Sequence, residues 1–185
     1  MAIMEIFLQP GDWYFGDKQT RIRTLLGSCI AITIWHPRLL VGGMCHFLLP
    51  ERGNCAATPG LDGKYGDEAV AVLLQEVRKQ RTQPGEYVCK IFGGGNMLQS
   101  LAARHSLREQ RFSSGSVSEC SDVPCKNVRA ARSLVSQAGF RVAASHLGGH
   151  GHRNLYFEIW SGDVFLKFTG HGADVTAADV QTGHA

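Results

Sequence analysis

One cysteine, Cys29, lies directly after Gly27-Ser28, at the point where an alternating apolar run of strand type begins. A thiol at the first position of a strand has a rigid support, and nearby backbone N–H groups are free of ladder bonding. This arrangement suits a nucleophile beside an oxyanion hole formed by the backbone of Gly27 and Ser28. The alternative is that Cys29 is a small buried apolar residue, as free cysteines often are.

A thiol with an ordinary pKa of ~8.5 is mostly protonated at neutral pH, so catalysis needs a neighbouring base, usually histidine. His46 lies in the next strand-like segment, between apolar residues. If residues 29–35 and 41–49 pair as a hairpin, His46 lies a few residues past the partner position of Cys29. Contact then requires a bulge, a twist or an offset register. The alternative is a hydrogen-bonded histidine of the core.

Composition limits the classes of protein that this chain can belong to. Its 185 residues, 44% of them hydrophobic, are enough for one domain with a sizeable core. Nineteen basic and sixteen acidic residues give a formal net charge of +3, and the basic residues are scattered along the chain. Nucleic acid is therefore not an expected partner.

The chain is expected to be cytoplasmic, without membrane insertion. No apolar segment approaches the ~20 residues needed to span a bilayer. The first residues lack a basic n-region and carry Glu5 inside a short apolar stretch, so they do not resemble a signal peptide. In a reducing cytosol most of the six cysteines are expected to be free thiols.

The segments alternate in type as in a mixed α/β protein. Strand patterns, helix patterns and turn residues predict a single α/β domain over residues 1–169, with a mostly antiparallel sheet and helices packed on it. Residues 170–185 show no strong pattern and are predicted to form a flexible tail. Predicted strands are MEIFLQ, DWYF, RIRTLL, CIAITIW, LLVGGMCHFLLP, EYVCKIF, FRVAASHL, NLYFEIW and VFLKFTG, and the longest predicted helices begin near Asp67 and Cys125.

Several motifs together resemble one known family. The segments LGSCIAITIWHP and VGGMCHFLLP, followed by KYGDEAV, KIFGGGNM and GGHGHRNLYFEIWSGDVFLKF, resemble the CheD family of chemoreceptor glutamine deamidases. The resemblance extends from about Thr24 to Phe168. In that family the cysteine of LGSC is the nucleophile and the histidine of the GGM-x-H strand is the base. The seventeen residues from Cys29 to His46 equal the family's separation, which favours the catalytic interpretation of both.

The resemblance implies hydrolysis of glutamine side-chain amides on the cytoplasmic helices of methyl-accepting chemotaxis receptors. A Cys29 thioester assisted by His46 would yield glutamate, and methyl-ester hydrolysis could proceed through the same acyl-enzyme. The implied fold is a layered α/β sandwich similar to the catalytic domains of deamidating toxins. A CheC-type phosphatase is the other implied partner, and no cofactor is implied.

A third residue should orient the histidine. In the family this residue is a threonine upstream of LGSC, which some members carry in T-L-G-L-G-S-C. The present TLLGSC places Thr24 five residues before the cysteine rather than six. A shift of one residue reverses the face of a side chain on a regular strand. Thr24 is the candidate, Arg23 occupies the other register, and a backbone carbonyl is a further alternative.

Other chemistry-bearing residues are weaker candidates. Gly93-Gly94-Gly95 lacks the Lys-Ser/Thr of a phosphate loop and predicts a tight turn beside the active cleft. Cys45 should point to the strand face opposite that of His46 and serve in packing. Cys55 in a Gly-rich loop is the rival nucleophile. A cluster of histidines and a pair of cysteines lack a strong zinc spacing, so no metal site is predicted; these residues are His146, His150, His152, Cys120 and Cys125.

Two functions from different classes follow. The first is the receptor deamidase, and the second is a chemotaxis adaptor that binds receptors or a CheC-type phosphatase with little or no turnover. Thiol reactivity discriminates between them. If His46 activates Cys29, iodoacetamide should label Cys29 faster than the other cysteines, with a pH midpoint below that of a free thiol.

Overall fold

The computed structural model describes residues 2–53, 59–97, 120, 122–176 and 181–182. The described residues form two α-helices, α1 (Gly66–Lys79) and α2 (Val123–Gln137), and a short 3-10 helix at Pro84–Glu86. The strands are β1 (Met4–Leu8), β2 (Trp13–Asp17), β3 (Thr20–Leu26), β4 (Ile30–His36), β5 (Val41–Phe47), β6 (Val88–Gly93), β7 (Arg141–Leu147), β8 (His150–Glu158), β9 (Asp163–His171), β10 (Asp174–Thr176) and β11 (Gln181–Thr182).

The strands form two sheets. Sheet A has the order β1-β3-β8-β9-β11, and sheet B has the order β10-β7-β6-β4-β5-β2. Most neighbouring strands are antiparallel; the parallel pairs are β1 with β3, β6 with β7, and β9 with β11. The predicted α/β class with mostly antiparallel sheet is confirmed.

The molecule is layered, and sheet B is the middle layer. Alternate residues of β4 contact different cores because successive strand side chains point to opposite faces. Ile30, Ile32 and Ile34 pack with α1 and α2 in one core. Ala31 packs with residues of sheet A in the second core, between the sheets. Both described helices therefore cover the same face of sheet B.

The predicted hairpin of β4 and β5 is confirmed. Its register runs regularly from Ile30 opposite Phe47 to His36 opposite Val41. Cys45 is fully buried in the helix-side core, whereas Met44, two residues before His46, packs in the core between the sheets. The prediction that Cys45 and His46 occupy opposite faces follows from this alternation.

The end of the chain contains more strand than its pattern suggests. The sequence assigns 170–185 to a flexible tail, whereas β9 extends to His171 and β10 pairs antiparallel with β7. Asp174 forms an ion pair with Arg132 of α2. Pairing with an existing sheet edge supplies backbone hydrogen bonds to a segment whose own sequence has little strand preference.

The cysteines differ in their bonding. Cys120 and Cys125 form a disulfide, whereas Cys29, Cys45 and Cys89 are free. Proximity at the first turn of α2 pairs the two sulfurs, which sequence spacing alone does not establish. Cys55 lies outside the described residues, as do residues 98–119.

None of the helices that the structure describes is both long and apolar enough to cross a membrane.

Candidate active site

His46 lies between the two sheets, and contacts from both hold it. Its backbone N–H donates to the Asp12 carbonyl at 3.0 Å, and its own carbonyl accepts from Gly11 N–H at 2.7 Å. Its side chain, on β5 of sheet B, reaches Thr24 on β3 of sheet A, where Nδ1 and Oγ1 are 2.8 Å apart. Only 1% of His46 is exposed. Hydrogen bonds therefore hold both the backbone of His46 and the Nδ1 atom of its ring.

The hydrogen bonds around Thr24 determine where the imidazole proton lies. The Thr24 hydroxyl donates to the Leu8 carbonyl at 2.9 Å, and a carbonyl can only accept. With its single proton used, Thr24 Oγ1 accepts from His46, so Nδ1 carries the hydrogen of the neutral ring. Nε2 then carries the lone pair, as a general base requires. Among the described residues Nε2 has no hydrogen-bond partner.

The structure selects Thr24 over the alternative register. Thr24 is 2% exposed and faces the inter-sheet core, whereas Arg23 faces outward and pairs with Glu5 at 2.9 Å. The shortened spacing to Cys29 is accommodated because β3 ends at Leu26 and the chain then passes from sheet A to sheet B. Strand alternation does not run through this connection, so a change of one residue in the spacing does not reverse Thr24.

The segment from Gly27 to Cys29 is held through its carbonyls. Gly27 O accepts from Gly95 N–H at 2.7 Å, and Cys29 O accepts from Gly94 N–H at 2.9 Å. A side chain at residue 93 would clash, because its Cβ would lie 2.1 Å from Cys29 O and its φ is +121°. The triple glycine thus forms the predicted turn beside Cys29, and its close approach requires glycine.

The backbone amides beside the thiol are available for another acceptor. In the part of the chain that the structure describes, the N–H groups of Ser28 and Cys29 donate to no backbone carbonyl. Fixed carbonyls beside N–H groups that donate to no backbone carbonyl are an arrangement that can bind an oxyanion. The predicted donors, Gly27 N–H and Ser28 N–H, both stay candidates because neither donates to a described backbone carbonyl, and Cys29 N–H is a further candidate.

Cys29 and His46 lie on the same face of the β4–β5 hairpin without any irregularity of register. Continuing the register beyond Ile30 and Phe47 places Cys29 opposite Leu48, two residues from His46. Such diagonal neighbours share a face at Cβ separations of about 7–8 Å or somewhat less. The expectation that contact between the two side chains requires a bulge, a twist or an offset register stays a prediction. Cys29 packs against the inter-sheet core but makes no hydrogen bond to His46 Nε2.

Burial keeps both groups neutral. It lowers the pKa of His46 to about 4, although the Leu8 carbonyl and the Asp12 carboxylate act in the opposite direction. Burial also raises the pKa of the half-buried Cys29 thiol, which hydrogen bonds from the Ser28 side chain and its own backbone partly offset. At neutral pH the resting pair is a thiol with a neutral imidazole, not a thiolate–imidazolium pair.

This charge state changes the expected thiol reactivity. Iodoacetamide should label Cys29 faster than Cys45 and Cys89, because those thiols are fully buried and burial raises their pKa values too. Labelling of Cys29 should rise with pH, and its midpoint should lie above that of a free thiol, contrary to the sequence-based expectation. Mass spectrometry of peptides labelled across a pH series measures this; a midpoint below that of glutathione would contradict it.

Thr24 offers a prediction about orientation of the base. Thr24→Val keeps the shape but removes the hydroxyl, so His46 Nδ1–H loses its acceptor and the tautomer with Nε2 unprotonated is no longer favoured. We expect a fall of about 10–100-fold in the turnover that depends on Cys29. Thr24→Ser retains the hydroxyl and should stay within about threefold of the native rate. Equal activities of the Val and Ser variants would contradict the role of Thr24.

The histidine cluster does not assemble into a metal site. His146 Nδ1 accepts from Arg153 Nε at 2.9 Å, and the rings of His150 and His171 stand 5.1 Å apart. Within the described ranges no group of three His, Cys, Asp or Glu residues could hold a metal ion. Arg153 lies in the core between the cluster and Gly95.

Two groups at the site are missing from the sequence analysis. The Leu8 carbonyl accepts from Thr24, and a main-chain atom from a distant strand leaves no signal in the sequence. Asn127 on α2 donates to Ser28 O and Leu48 O. The sequence does contain a signal for it, because Asn127 stands four residues before Ala131 and eight before Val135, on one face of a helix. The structure buries all three residues.

Comparisons with known proteins identify the relatives of this chain. A family profile described as "CheD chemotactic sensory transduction" matches residues 48–168, beginning just after His46. "Probable chemoreceptor glutamine deamidase CheD 3" of Dechloromonas aromatica is 42% identical over 180 residues, covering 97% of this chain and 94% of that protein.

Two further likenesses differ in strength. "Probable chemoreceptor glutamine deamidase CheD 1" of Chromobacterium violaceum is 45% identical over 166 residues, 88% of this chain and 76% of that protein. The crystal structure of the Bacillus licheniformis hypothetical protein YfiH has a TM-score of 0.41 at 12% identity, covering 70% of this chain and 47% of that one. From the profile match and the length and identity of its relatives, this chain belongs to the CheD family.

Proposed function

We propose that this protein hydrolyses the side-chain amide of glutamines on the cytoplasmic helices of chemoreceptors, releasing ammonia and leaving glutamate. The observation that carries the proposal is His46, fixed through Nδ1 by Thr24, with a buried, unpartnered Nε2 on the face that it shares with Cys29. The names of the relatives, chemoreceptor glutamine deamidases, supply the substrate class.

The first chemical step forms a thioester. Cys29 Sγ attacks the amide carbon while its proton passes to His46 Nε2, because the resting pair is neutral and neither charged partner exists beforehand. The carbonyl oxygen becomes an oxyanion, to which the N–H groups of Ser28 and Cys29 donate. As the C–N bond breaks, the imidazolium returns its proton to the nitrogen, and ammonia leaves.

The second step regenerates the thiol. Water attacks the thioester carbon while His46 Nε2 accepts its proton, and collapse of the tetrahedral intermediate breaks the C–S bond. The sulfur recovers the proton from the imidazolium, and the product leaves as a carboxylic acid that releases its proton to solvent and becomes glutamate. A pKa of His46 near 4 assists both proton returns, because the buried imidazolium is a stronger acid than a free one, and it makes the two preceding proton acceptances less favourable.

The same acyl-enzyme explains a related activity. A methyl ester of glutamate presents the same acyl group with methanol as the leaving group, so we propose methyl-ester hydrolysis as a second reaction of this site. Nucleophile, base and oxyanion donors all come from the chain itself, and the proposed reaction requires no cofactor. The reaction places the protein in the cytoplasm, where these receptor helices lie.

A second candidate function is an adaptor that binds receptors or a CheC-type phosphatase with little turnover. The observation favouring it is the absence of a hydrogen bond between Cys29 and His46 in the structure. Catalytic hydrogen bonds, however, are often long before substrate binds and shorten in the complex. The deamidase therefore remains the stronger proposal, with the CheC-type phosphatase as a second proposed partner.

Incubation with a purified cytoplasmic receptor fragment tests the function. Peptide mass spectrometry should show glutamine converted to glutamate at defined positions, at a rate proportional to the concentration of this protein. Parallel pull-down measures receptor binding. Binding with unchanged glutamines would overturn the deamidase and support the adaptor, whereas conversion would establish the substrate sites.

A further inference from the structure

Asn127 is a fully buried polar residue on a helix that carries no other part of the site. Its side-chain Nδ2 donates to Ser28 O at 3.0 Å and to Leu48 O at 2.7 Å. Ser28 precedes the nucleophile, and Leu48 follows the strand of the base. One amide group thus bridges the two chain segments that carry Cys29 and His46.

The bridge lies where regular pairing between the two strands ends. The β4–β5 ladder includes Ile30 and Phe47 but not the next pair of positions, Cys29 and Leu48. After the last pair of the ladder, Leu48 N–H donates to Lys64 O at 2.9 Å and not to β4. Asn127 therefore connects the segments at the level of the thiol, where the ladder no longer does so.

The chemistry of the two partners determines the orientation of the amide. Both partners are carbonyl oxygens, so only the NH2 end of the side chain can face them. Asn127 Oδ1 has no hydrogen-bond partner among the residues that the structure describes. Burying an amide with an unpaired oxygen is unfavourable, so packing alone would be better served by an apolar residue.

The carbonyls of three successive residues are fixed by different elements. Gly27 O and Cys29 O accept from the backbone of Gly95 and Gly94, and Ser28 O accepts from Asn127. Two of these donors are backbone N–H groups, and the third, Asn127, donates from its side chain. Fixing the Ser28 carbonyl also fixes the peptide plane that carries Cys29 N–H, one of the proposed oxyanion donors.

We infer that Asn127 is a positioning residue of the Cys29 site, which sets the place of the thiol and of the Cys29 N–H relative to His46. This inference rests on the proposed function, because it assigns Asn127 a role in that reaction. Without the two hydrogen bonds, the 27–29 segment is held only by the glycine turn. The thiol then samples more exposed positions, and the productive geometry is populated less often.

The test compares Asn127→Leu, Asn127→Asp and Asn127→Ser with Val135→Ala. Leu is close in size to Asn and cannot donate to the carbonyls, Asp is close in shape and only accepts when it is ionised, and Ser retains one donor. Val135 is fully buried on the same helix, eight residues from Asn127, and controls for loss of packing. All are assayed on the receptor fragment, and their thiols are labelled with iodoacetamide, well below the lowest unfolding midpoint.

Turnover and labelling should change in opposite directions. For the Leu and Asp variants we expect kcat to fall about 10–100-fold with KM within about threefold, and for Val135→Ala we expect kcat within about twofold. Cys29 should label faster, with its pH midpoint closer to that of a free thiol, while Cys45 and Cys89 stay protected. If the Leu and Asp variants do not fold, an intermediate kcat for Asn127→Ser supports the inference and a native kcat overturns it.

Failure of this inference is distinguishable from failure of the proposed function. Native kcat and native Cys29 labelling in the folded Leu and Asp variants would overturn the role of Asn127 while the deamidase stands. If the native protein leaves receptor glutamines unchanged, the deamidase fails, and labelling alone decides the placement role. Faster Cys29 labelling in the Asn127 variants but not in Val135→Ala would then support that role, and unchanged labelling would overturn it.

Discussion

Replacing Cys29 with alanine should lower kcat for receptor glutamine deamidation by at least about 10³-fold, as expected when a covalent nucleophile is removed. Ala cannot form the thioester, and a water in its place would have to attack the amide directly. Cys29 is half-buried and its neighbouring carbonyls are fixed by Gly94 and Gly95, so this small change should leave the fold intact.

The measurement is the rate of glutamate formation in a receptor fragment, followed by peptide mass spectrometry. Cys45→Ala is the matched control, because it also removes a free thiol from the same hairpin but on the helix-side face. It should lower the unfolding midpoint and keep kcat within about twofold. If Cys29→Ala kept the native turnover, Cys29 would not be the nucleophile. Cys55 is the rival candidate in the sequence.

Replacing His46 with glutamine should lower kcat by about 10²–10⁴-fold, the usual contribution of a positioned general acid–base group. Glutamine can hydrogen-bond Thr24 but cannot accept the Cys29 proton or return it to ammonia. Because the resting thiol is protonated and its pKa is raised by burial, little thiolate is available without the base. The nucleophile would remain in place and largely unreactive.

The pH dependence of kcat/KM provides a second test of the role of His46. His46 must be neutral to accept a proton, and its pKa is lowered to about 4. The kcat/KM of the native protein should therefore fall on the acid side only as pH approaches that value. This acid limb of the pH profile should be absent in His46→Gln. An unchanged acid limb in the variant would assign it to another group.

His36→Gln is the matched control for loss of a buried histidine. His36 is 1% exposed at the opposite end of the same hairpin, where its ring contacts Tyr87. The change should reduce stability and leave kcat within about twofold, because His36 lies at the far end of β4 from Cys29. Equal losses of kcat in the two variants would attribute the His46 effect to instability of the hairpin.

Local pattern was sufficient for much of the site. Alternation predicted the β4–β5 hairpin and the opposite faces of Cys45 and His46, because strand side chains alternate with a period of two wherever pairing is regular. The triple glycine at 93–95 was predicted as a turn beside the cleft, since close backbone approach requires residues without Cβ. The nucleophile and base were chosen by residue type, spacing and resemblance to the family.

Local pattern failed where the chain leaves a strand. The five-residue spacing from Thr24 to Cys29 predicts the wrong face for the threonine if strand alternation continues to the cysteine, but residues 27–29 belong to no strand. The connection between sheets A and B removes that constraint. The same limitation affected the end of the chain, where pairing with β7 rather than local preference forms β10.

By itself, then, the sequence determined the α/β class and the hairpin, because these depend on short-range periodicity. The Cys29–His46 pair is a prediction that the resemblance to the family supplied. Only the tertiary structure decided that Thr24 bonds Nδ1 of His46, that Leu8 O fixes the tautomer and that Asn127 bridges the two segments. It also decided that the resting pair is neutral. These features depend on contacts between distant elements and on burial, which spacing along a chain does not encode.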